Sequence, residues 1–151
     1  MVDWVRLAAP AAIVVSIASP AYAVQYLSVE EAQRLAFPGA SFSVVQAGRV
    51  WKASTGGIFV FDHVIGKHLY IDYAVSIDGG GRVRRVDILQ YRESYGDDVK
   101  SPSWLAQFVG KTSASPLKVG ADIRNISGAT LSSAHVTEGV KRILAAYGHL
   151  K

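Results

Sequence analysis

The chain has 151 residues, of which 50% are hydrophobic and 19% are charged, so it is not a disordered protein and its length suits one domain with a single core. It contains no cysteine, which excludes disulfides, thiolate catalysis and cysteine-held iron–sulfur clusters. The formal net charge of +4 is scattered, with only Arg82, Arg84 and Arg85 clustered, so no nucleic-acid interface is predicted.

The first residues have the pattern of a secretory signal. Arg6 precedes an apolar run over residues 7–18, and Ala21 and Ala23 end the segment in an A-x-A cleavage pattern. The run is shorter than the roughly 20 apolar residues that a transmembrane helix needs. We therefore expect a signal peptide over residues 1–23, a domain over 24–151, and a periplasmic or other extracytoplasmic location. An uncleaved segment that anchors the domain to the membrane is the alternative.

The next part of the chain predicts a helix followed by extended segments. Ser28 and Glu31 have the spacing of a capping box, in which each side chain bonds the backbone of the other residue. This pattern predicts a short helix that reaches Ala36. Extended segments are expected near 41–46 and 57–61.

The middle of the chain predicts a β-hairpin. The clearest strand covers residues 69–77, because its apolar residues alternate strictly and would bury one face. These alternating residues are Leu69, Ile71, Tyr73, Val75 and Ile77. A glycine-rich turn over 78–81 leads into a partner strand over 83–91. Within that strand Val83 is out of phase with Val86, which predicts a β-bulge.

The last third of the chain predicts two helices with a strand between them. The short helix covers residues 102–109 and is closed by Gly110. The strand covers residues 121–126, and the final helix begins near Ser132. The apolar stripe of that helix consists of Val136, Val140, Ile143, Leu144 and Tyr147. This order of elements predicts an α+β fold, with a mainly antiparallel sheet and flanking helices in a single small domain.

The segment over residues 126–133, Ile-Ser-Gly-Ala-Thr-Leu-Ser-Ser, is the most informative about chemistry. Small residues at 127–129 let a bulky group approach the backbone, and Thr130, Ser132 and Ser133 offer hydroxyls. The helix that follows presents free amides and the positive end of its dipole, which together suit a phosphate group. From the residues alone, a plain capped helix start after a tight turn is the alternative.

This segment resembles the flavinylation motif of the FMN-binding domain family, which includes the periplasmic flavin subunits of the sodium-pumping NADH:quinone reductase and of the Rnf complex. Segments 91–96, 104–110 and 135–140 are similar to other family segments in the same order, so the resemblance covers roughly residues 69–147. The resemblance implies that FMN is the cofactor. It also implies that a separate flavin transferase joins the FMN through a phosphodiester to Thr130.

The resemblance further implies a set of site residues around Thr130. The residues expected to surround the phosphate and the ribityl chain are Ser127, Gly128, Ala129, Leu131 and Ser132. Those expected at the rim of the pocket are Glu93, Ser94 and Gly96. For Glu93 the alternative is a solvated loop charge. Trp104 is expected to flank the flavin ring, and plain packing in the core is its alternative.

Two positions depart from the family pattern. Arg124 stands six positions before Thr130, where the family commonly has an acidic residue. Tyr95 stands where related sequences often have proline. The first departure leaves open a tightly bound but non-covalent FMN, or a transferase with an altered preference.

An export signal combined with a flavin motif predicts an exported electron carrier rather than a stand-alone enzyme, with a membrane-bound redox partner. In such a protein the FMN does the chemistry and the chain positions it. The alternatives are a small exported flavin-dependent reductase that acts on ferric iron or a quinone, and a flavin-free module that binds an anion. The sequence has neither a nicotinamide-binding fingerprint nor a metal-ligand spacing, so neither direct NAD(P)H use nor a metal site is expected.

Overall fold

Hydrogen bonds between neighbouring strands build one sheet in the computed structural model, which describes residues 24–150. The strands are β1 (Val24–Gln25), β2 (Phe42–Gln46), β3 (Val50–Ala53), β4 (Ile58–Ile65), β5 (Tyr70–Ile77) and β6 (Val83–Tyr91). They lie in the order β1-β6-β5-β4-β3-β2, and every neighbouring pair is antiparallel. The predicted fold class, α+β with a mainly antiparallel sheet, is confirmed.

Three helices flank the sheet: α1 (Val29–Ala36), α2 (Pro102–Leu105) and α3 (Thr130–Tyr147). α1 begins with the predicted capping box, since the Ser28 hydroxyl accepts from the Glu31 amide at 3.1 Å and the Glu31 carboxylate accepts from the Ser28 amide at 2.7 Å. The helix predicted over 102–109 is present as α2 followed by a 3₁₀ turn at Ala106–Phe108. Among residues 24–150, no helix has the length and apolar character needed to span a bilayer. The predicted signal peptide lies outside these residues.

Different helices cover the two faces of the sheet. α3 covers one face with its predicted apolar stripe, which is confirmed. The stripe residues in this core are Val136, Val140, Ile143, Leu144 and, partly buried, Tyr147. α1 covers the other face, where Phe37 packs with Phe59 and Leu89 in a second core. The sheet is therefore buried on both sides at its centre.

β5 passes between these two cores. The alternation predicted for it is confirmed, because Ile71, Tyr73, Val75 and Ile77 all belong to the core under α3. Leu69 was predicted to continue this face, but it lies before the first residue of β5 and is 44% exposed. The strand prediction was too long there because the chain at Leu69 still belongs to the loop between β4 and β5.

The predicted bulge is present where β6 begins. Ser76 pairs with Arg85, whereas the next residue of β5, Ile77, pairs with Val83, so Arg84 is the extra residue. This shift lets Val83 and Val86 both reach the core under α3.

The strand predicted over residues 121–126 is wrong. The carboxylate of Asp122 turns back and accepts the amides of Leu117 at 3.1 Å and Lys118 at 2.9 Å. These bonds close a loop whose one isolated bridge joins Val119 to Ile123. A side chain that satisfies the local backbone in this way competes with strand pairing.

α3 begins two residues earlier than predicted, at Thr130. The carbonyl of Ala129 already accepts a hydrogen bond from the Ser133 amide at 2.9 Å, so Ala129 is the N-cap. Thr130 therefore occupies the first helical position instead of the turn before the helix. Its side chain is carried by a rigid element.

Candidate functional site

A surface cleft of about 770 Å³ opens at the start of α3. Three segments line it: residues 67–69 between β4 and β5, residues 92–96 after β6, and residues 128–132 at the start of α3. These segments are distant in sequence, and the antiparallel pairing of β4, β5 and β6 brings the first two together. The volume lies within the range of roughly 300–1,000 Å³ that is typical of ligand pockets.

The first turn of α3 presents free backbone donors to this cleft. Ala129, the N-cap residue, offers no side-chain acceptor, unlike Ser28 at the start of α1. Among the described residues, the amides of Thr130, Leu131 and Ser132 have no hydrogen-bond acceptor. Such amides, together with the helix dipole, favour a negatively charged group.

The hydroxyl of Thr130 is exposed at the edge of the cleft. Asn125 holds it, because the Asn125 side-chain amide donates to Thr130 Oγ1 at 3.3 Å. Asn125 was not predicted as a site residue. The signal that the sequence offers for it is its position five residues before Thr130. The pair leaves a nucleophilic oxygen in a defined position next to the free amides.

A buried tyrosine at the end of β6 contacts two of the segments that line the cleft. The Tyr91 hydroxyl donates to the backbone carbonyl of Tyr95 and lies 3.3 Å from the Ser132 hydroxyl. Burial, the largest influence, raises the pKa of Tyr91, so the group remains a hydroxyl that can donate. Gly96 fits beside it with a φ of +80°, and an added Cβ would lie 2.8 Å from Tyr91 Oη and 3.1 Å from Ser132 Oγ. Glycine is therefore required where this loop meets α3.

Glu93 fixes the loop on the opposite side of the cleft. Its carboxylate accepts the backbone amides of three consecutive residues: Lys67 at 3.0 Å, His68, and Leu69 at 2.6 Å. Burial alone would raise the pKa of Glu93, but these three hydrogen bonds outweigh it and hold the pKa below its usual range. The Glu93 carboxylate is therefore bonded to the backbone of residues 67–69, unlike the solvated loop charge that was its alternative.

Arg92 is also held in place by polar contacts. Its guanidinium donates to both oxygens of Asp72, at 3.0 and 2.8 Å, and to the carbonyl of Tyr70 at 2.9 Å. The fork-shaped contact with a carboxylate is the strong form of this pairing. Because Asp72 compensates its charge, Arg92 contributes little net charge to the cleft.

The structure brings most of the predicted site residues together. The predicted residues that line the cleft are Glu93, Ser94, Gly96, Gly128, Ala129, Thr130, Leu131 and Ser132. Ser127 is exposed and does not line it. The lining residues that were not predicted as site residues are Lys67, His68, Leu69, Arg92 and Tyr95.

Trp104 lies in the core and not in the cleft. Its side chain is 4% exposed, and its ring meets that of Phe108 edge-on at a centroid distance of 5.1 Å. Its indole N–H donates to the carbonyl of Arg124 at 2.7 Å. Trp104 therefore packs in the core, which was the alternative to contact with the flavin. Its hydrogen bond to Arg124 supports the loop that leads to Thr130.

Two further observations limit the choice of site. A second groove, of about 540 Å³, runs between α1 and α2 and is lined by residues such as Leu35, Arg84 and Val109, but no residue of the 126–133 motif lines it. Within residues 24–150, no group of three or more histidine, cysteine, aspartate or glutamate residues is placed to hold a metal ion. The cleft at α3 is therefore the candidate site, because residues of the 126–133 motif line it.

The family model described as the FMN-binding domain matches residues 66–145. The chain belongs to the FMN-binding domain family. No curated protein matches the chain. All three segments of the cleft, residues 67–69, 92–96 and 128–132, lie within the range matched by the FMN-binding domain.

FMN is the cofactor of this domain, and the residues of the cleft fit it. The free amides at the start of α3 and the Thr130 hydroxyl suit the phosphate. Leu69, Tyr95 and Leu131 are exposed apolar side chains that line the same cleft and suit a flat ring system. The cleft thus offers backbone donors for the phosphate and apolar side chains for the ring system of FMN.

Proposed function

We propose that this FMN-binding domain is an exported electron carrier whose FMN is joined by a phosphodiester to the hydroxyl of Thr130. One observation carries the proposal: Thr130 occupies the first position of α3, with its hydroxyl exposed at the edge of the cleft and next to unpaired amides. Those amides would offset the charge that a phosphate brings.

The attachment step needs an activated donor. Thr130 Oγ1 would lose its proton and form a new bond to phosphorus, so another group must leave that phosphorus. The donor is therefore a flavin nucleotide whose phosphate forms an anhydride, and the other half of the anhydride departs. Asn125 would hold the hydroxyl ready, since its side-chain amide donates to Oγ1 and leaves the proton of the hydroxyl free. A separate flavin transferase is the partner that would deliver the donor.

The cleft favours electron exchange over the transformation of a bound substrate. FMN supplies one-electron and two-electron chemistry when bound, and the chain's task is to hold it. Two of the charged groups that line the cleft, Glu93 and Arg92, are already engaged with the backbone and with Asp72. Lining residues such as Leu69, Tyr95 and Leu131 are exposed, so a cofactor held here stays within reach of a partner protein.

Export accounts for a covalent link. Outside the cytoplasm a cofactor that dissociates is lost, and a phosphodiester removes that loss. The signal pattern over residues 1–23 supports this location, and a membrane-bound redox partner would then supply or receive the electrons. N-terminal sequencing of protein recovered from the extracytoplasmic fraction should begin at Val24. Recovery of the whole chain in the cytoplasm would contradict export.

Intact mass of the full chain, produced together with a flavin transferase, tests the linkage. We expect a mass increase equal to FMN minus one water for the wild type and for Thr130→Ser, and no increase for Thr130→Val. Ser127→Ala is the matched control, because Ser127 is an exposed hydroxyl in the same motif that lies outside the cleft. An unshifted, colourless wild-type protein would rule out the proposal.

Reduction of the loaded protein tests the carrier role. We expect NADH alone to leave the flavin absorbance unchanged, and NADH with membrane vesicles from the native cell to bleach it. Vesicles given to Thr130→Val protein provide the blank. Bleaching by NADH without vesicles would favour a stand-alone reductase instead.

A further inference from the structure

Tyr95 combines a fixed backbone with an unpacked side chain. Its carbonyl accepts from the buried hydroxyl of Tyr91, and the next residue, Gly96, is held between Tyr91 and Ser132. Its own side chain is nevertheless 84% exposed, the largest exposed fraction among the exposed large hydrophobic residues described. Within residues 24–150 the ring is therefore largely unpacked, although its attachment point is defined.

The position of Tyr95 gives that free ring a role. It lines the cleft together with Leu69 and Leu131, which are also exposed, and the three side chains come from three different segments. Single exposed apolar residues are common, but a group of them around one cleft marks a binding site. The phosphate of the cofactor is assigned to the backbone amides at the start of α3, so these apolar side chains are left for the ring system.

We infer that Tyr95 packs its phenol ring against the isoalloxazine of FMN and shields that face from water. Aromatic rings in contact gain from offset or edge-on packing in addition to the area they bury. The inference rests on FMN occupying the cleft beside Thr130, as proposed above. Tyr95 would then be the chain's own contact to the flavin ring, a role that sequence reasoning assigned to Trp104.

Flavin fluorescence tests this contact, because a phenol that touches an isoalloxazine quenches its emission. With protein loaded to the same extent, we expect weak emission from the wild type and an increase of several-fold in Tyr95→Ala. Iodide, a soluble quencher, should reach the flavin more easily in Tyr95→Ala than in the wild type. Tyr95→Phe should also emit strongly, since a phenyl ring quenches poorly, but its flavin should stay as inaccessible to iodide as in the wild type.

Tyr70→Ala is the matched control. Tyr70 is 53% exposed and close to Leu69 in sequence, but it does not line the cleft. Its loss should change neither emission nor iodide access. Loaded Tyr95→Ala with the emission and iodide access of the wild type would overturn the contact while leaving the Thr130 linkage intact. A wild-type protein that takes up no FMN would overturn both, and the mass measurement separates these two results.

Discussion

The side-chain amide of Asn125 donates a hydrogen bond to the hydroxyl of Thr130, with 3.3 Å between Nδ2 and Oγ1. Both residues are exposed, so the contact adds little to the core and its effect should appear in the chemistry of the hydroxyl. We expect Asn125→Ala to slow FMN incorporation about fivefold, the change in rate that corresponds to one hydrogen bond of about 1 kcal/mol. The rate of mass increase with a purified transferase measures it.

Ser127→Ala is the control for that experiment, because it removes a polar side chain from the same loop without touching Thr130. Its incorporation rate should equal that of the wild type. Equal rates for Asn125→Ala and the wild type would mean that Asn125 does not position the hydroxyl.

The carboxylate of Glu93 should determine how firmly residues 67–69 are held. Glu93→Ala leaves three amides without their acceptor, and we expect their hydrogen exchange to accelerate by about tenfold, equivalent to about 1.4 kcal/mol of local stability. Amides at the centre of β5, such as those of Tyr73 and Val75, should exchange as in the wild type. Unchanged exchange at residues 67–69 would show that other contacts hold the loop.

Gly139 lies where α3 packs directly on β4 and β5. An added Cβ would lie 2.8 Å from Tyr73 Cζ and 3.0 Å from Val64 Cγ1. Tyr73 is fully buried and its hydroxyl donates to Asp62 at 3.2 Å, so it cannot swing aside. We therefore expect Gly139→Ala to lower the free energy of unfolding by about 1–3 kcal/mol, as overpacking does.

Urea unfolding measures the effect of Gly139→Ala, and Gly79→Ala is its control. Gly79 has no heavy atom within 4 Å of the added Cβ and no positive φ, so its replacement should be nearly neutral. A Gly139→Ala protein with the same free energy of unfolding as the wild type would indicate that α3 can shift on the sheet without losing stability.

Asp122 should make the stability of the domain depend on pH in acid. Burial tends to raise the pKa of Asp122, but the amides of Lys118 and Leu117 and the ammonium group of Lys111 outweigh it and lower the pKa to about 2. A carboxyl group whose pKa is lower in the folded chain stabilises the fold above its unfolded pKa of about 3.9, and this contribution is lost as the pH falls toward 2.

We therefore expect Asp122→Asn to destabilise the domain at neutral pH by about 1–2 kcal/mol, the contribution of hydrogen bonds to a charged group. The difference from the wild type should shrink as the pH falls from about 4 to 2. Asp98→Asn is the control, because the described residues give the Asp98 carboxylate no ion pair or hydrogen bond. A difference that stays constant with pH would contradict the assignment.

Several features of the fold could be predicted from the sequence because they depend on neighbours a few residues away. The capping box of Ser28 and Glu31, the alternation along β5 and the bulge near Val83 are patterns of this kind. The motif around Thr130 also identified the family and its cofactor, since short segments in a fixed order are sufficient for a resemblance. Where a nearby side chain offers the backbone another partner, local patterns mislead, as Asp122 does over residues 121–126.

The composition of the cleft was decided by the tertiary structure. Glu93 bonds amides that are 24 to 26 residues away, and Tyr91 reaches Ser132 across 41 residues of chain. No local pattern indicates which amide a carboxylate will bond or which way a ring will turn, so the sequence left Trp104 open between the flavin and the core and did not place Tyr95 in the cleft. The sequence by itself determined the capping box of α1, the alternation along β5 and the family, through patterns among near neighbours. The tertiary structure alone decided the walls of the cleft, because packing β4, β5, β6 and α3 together selects which distant side chains meet.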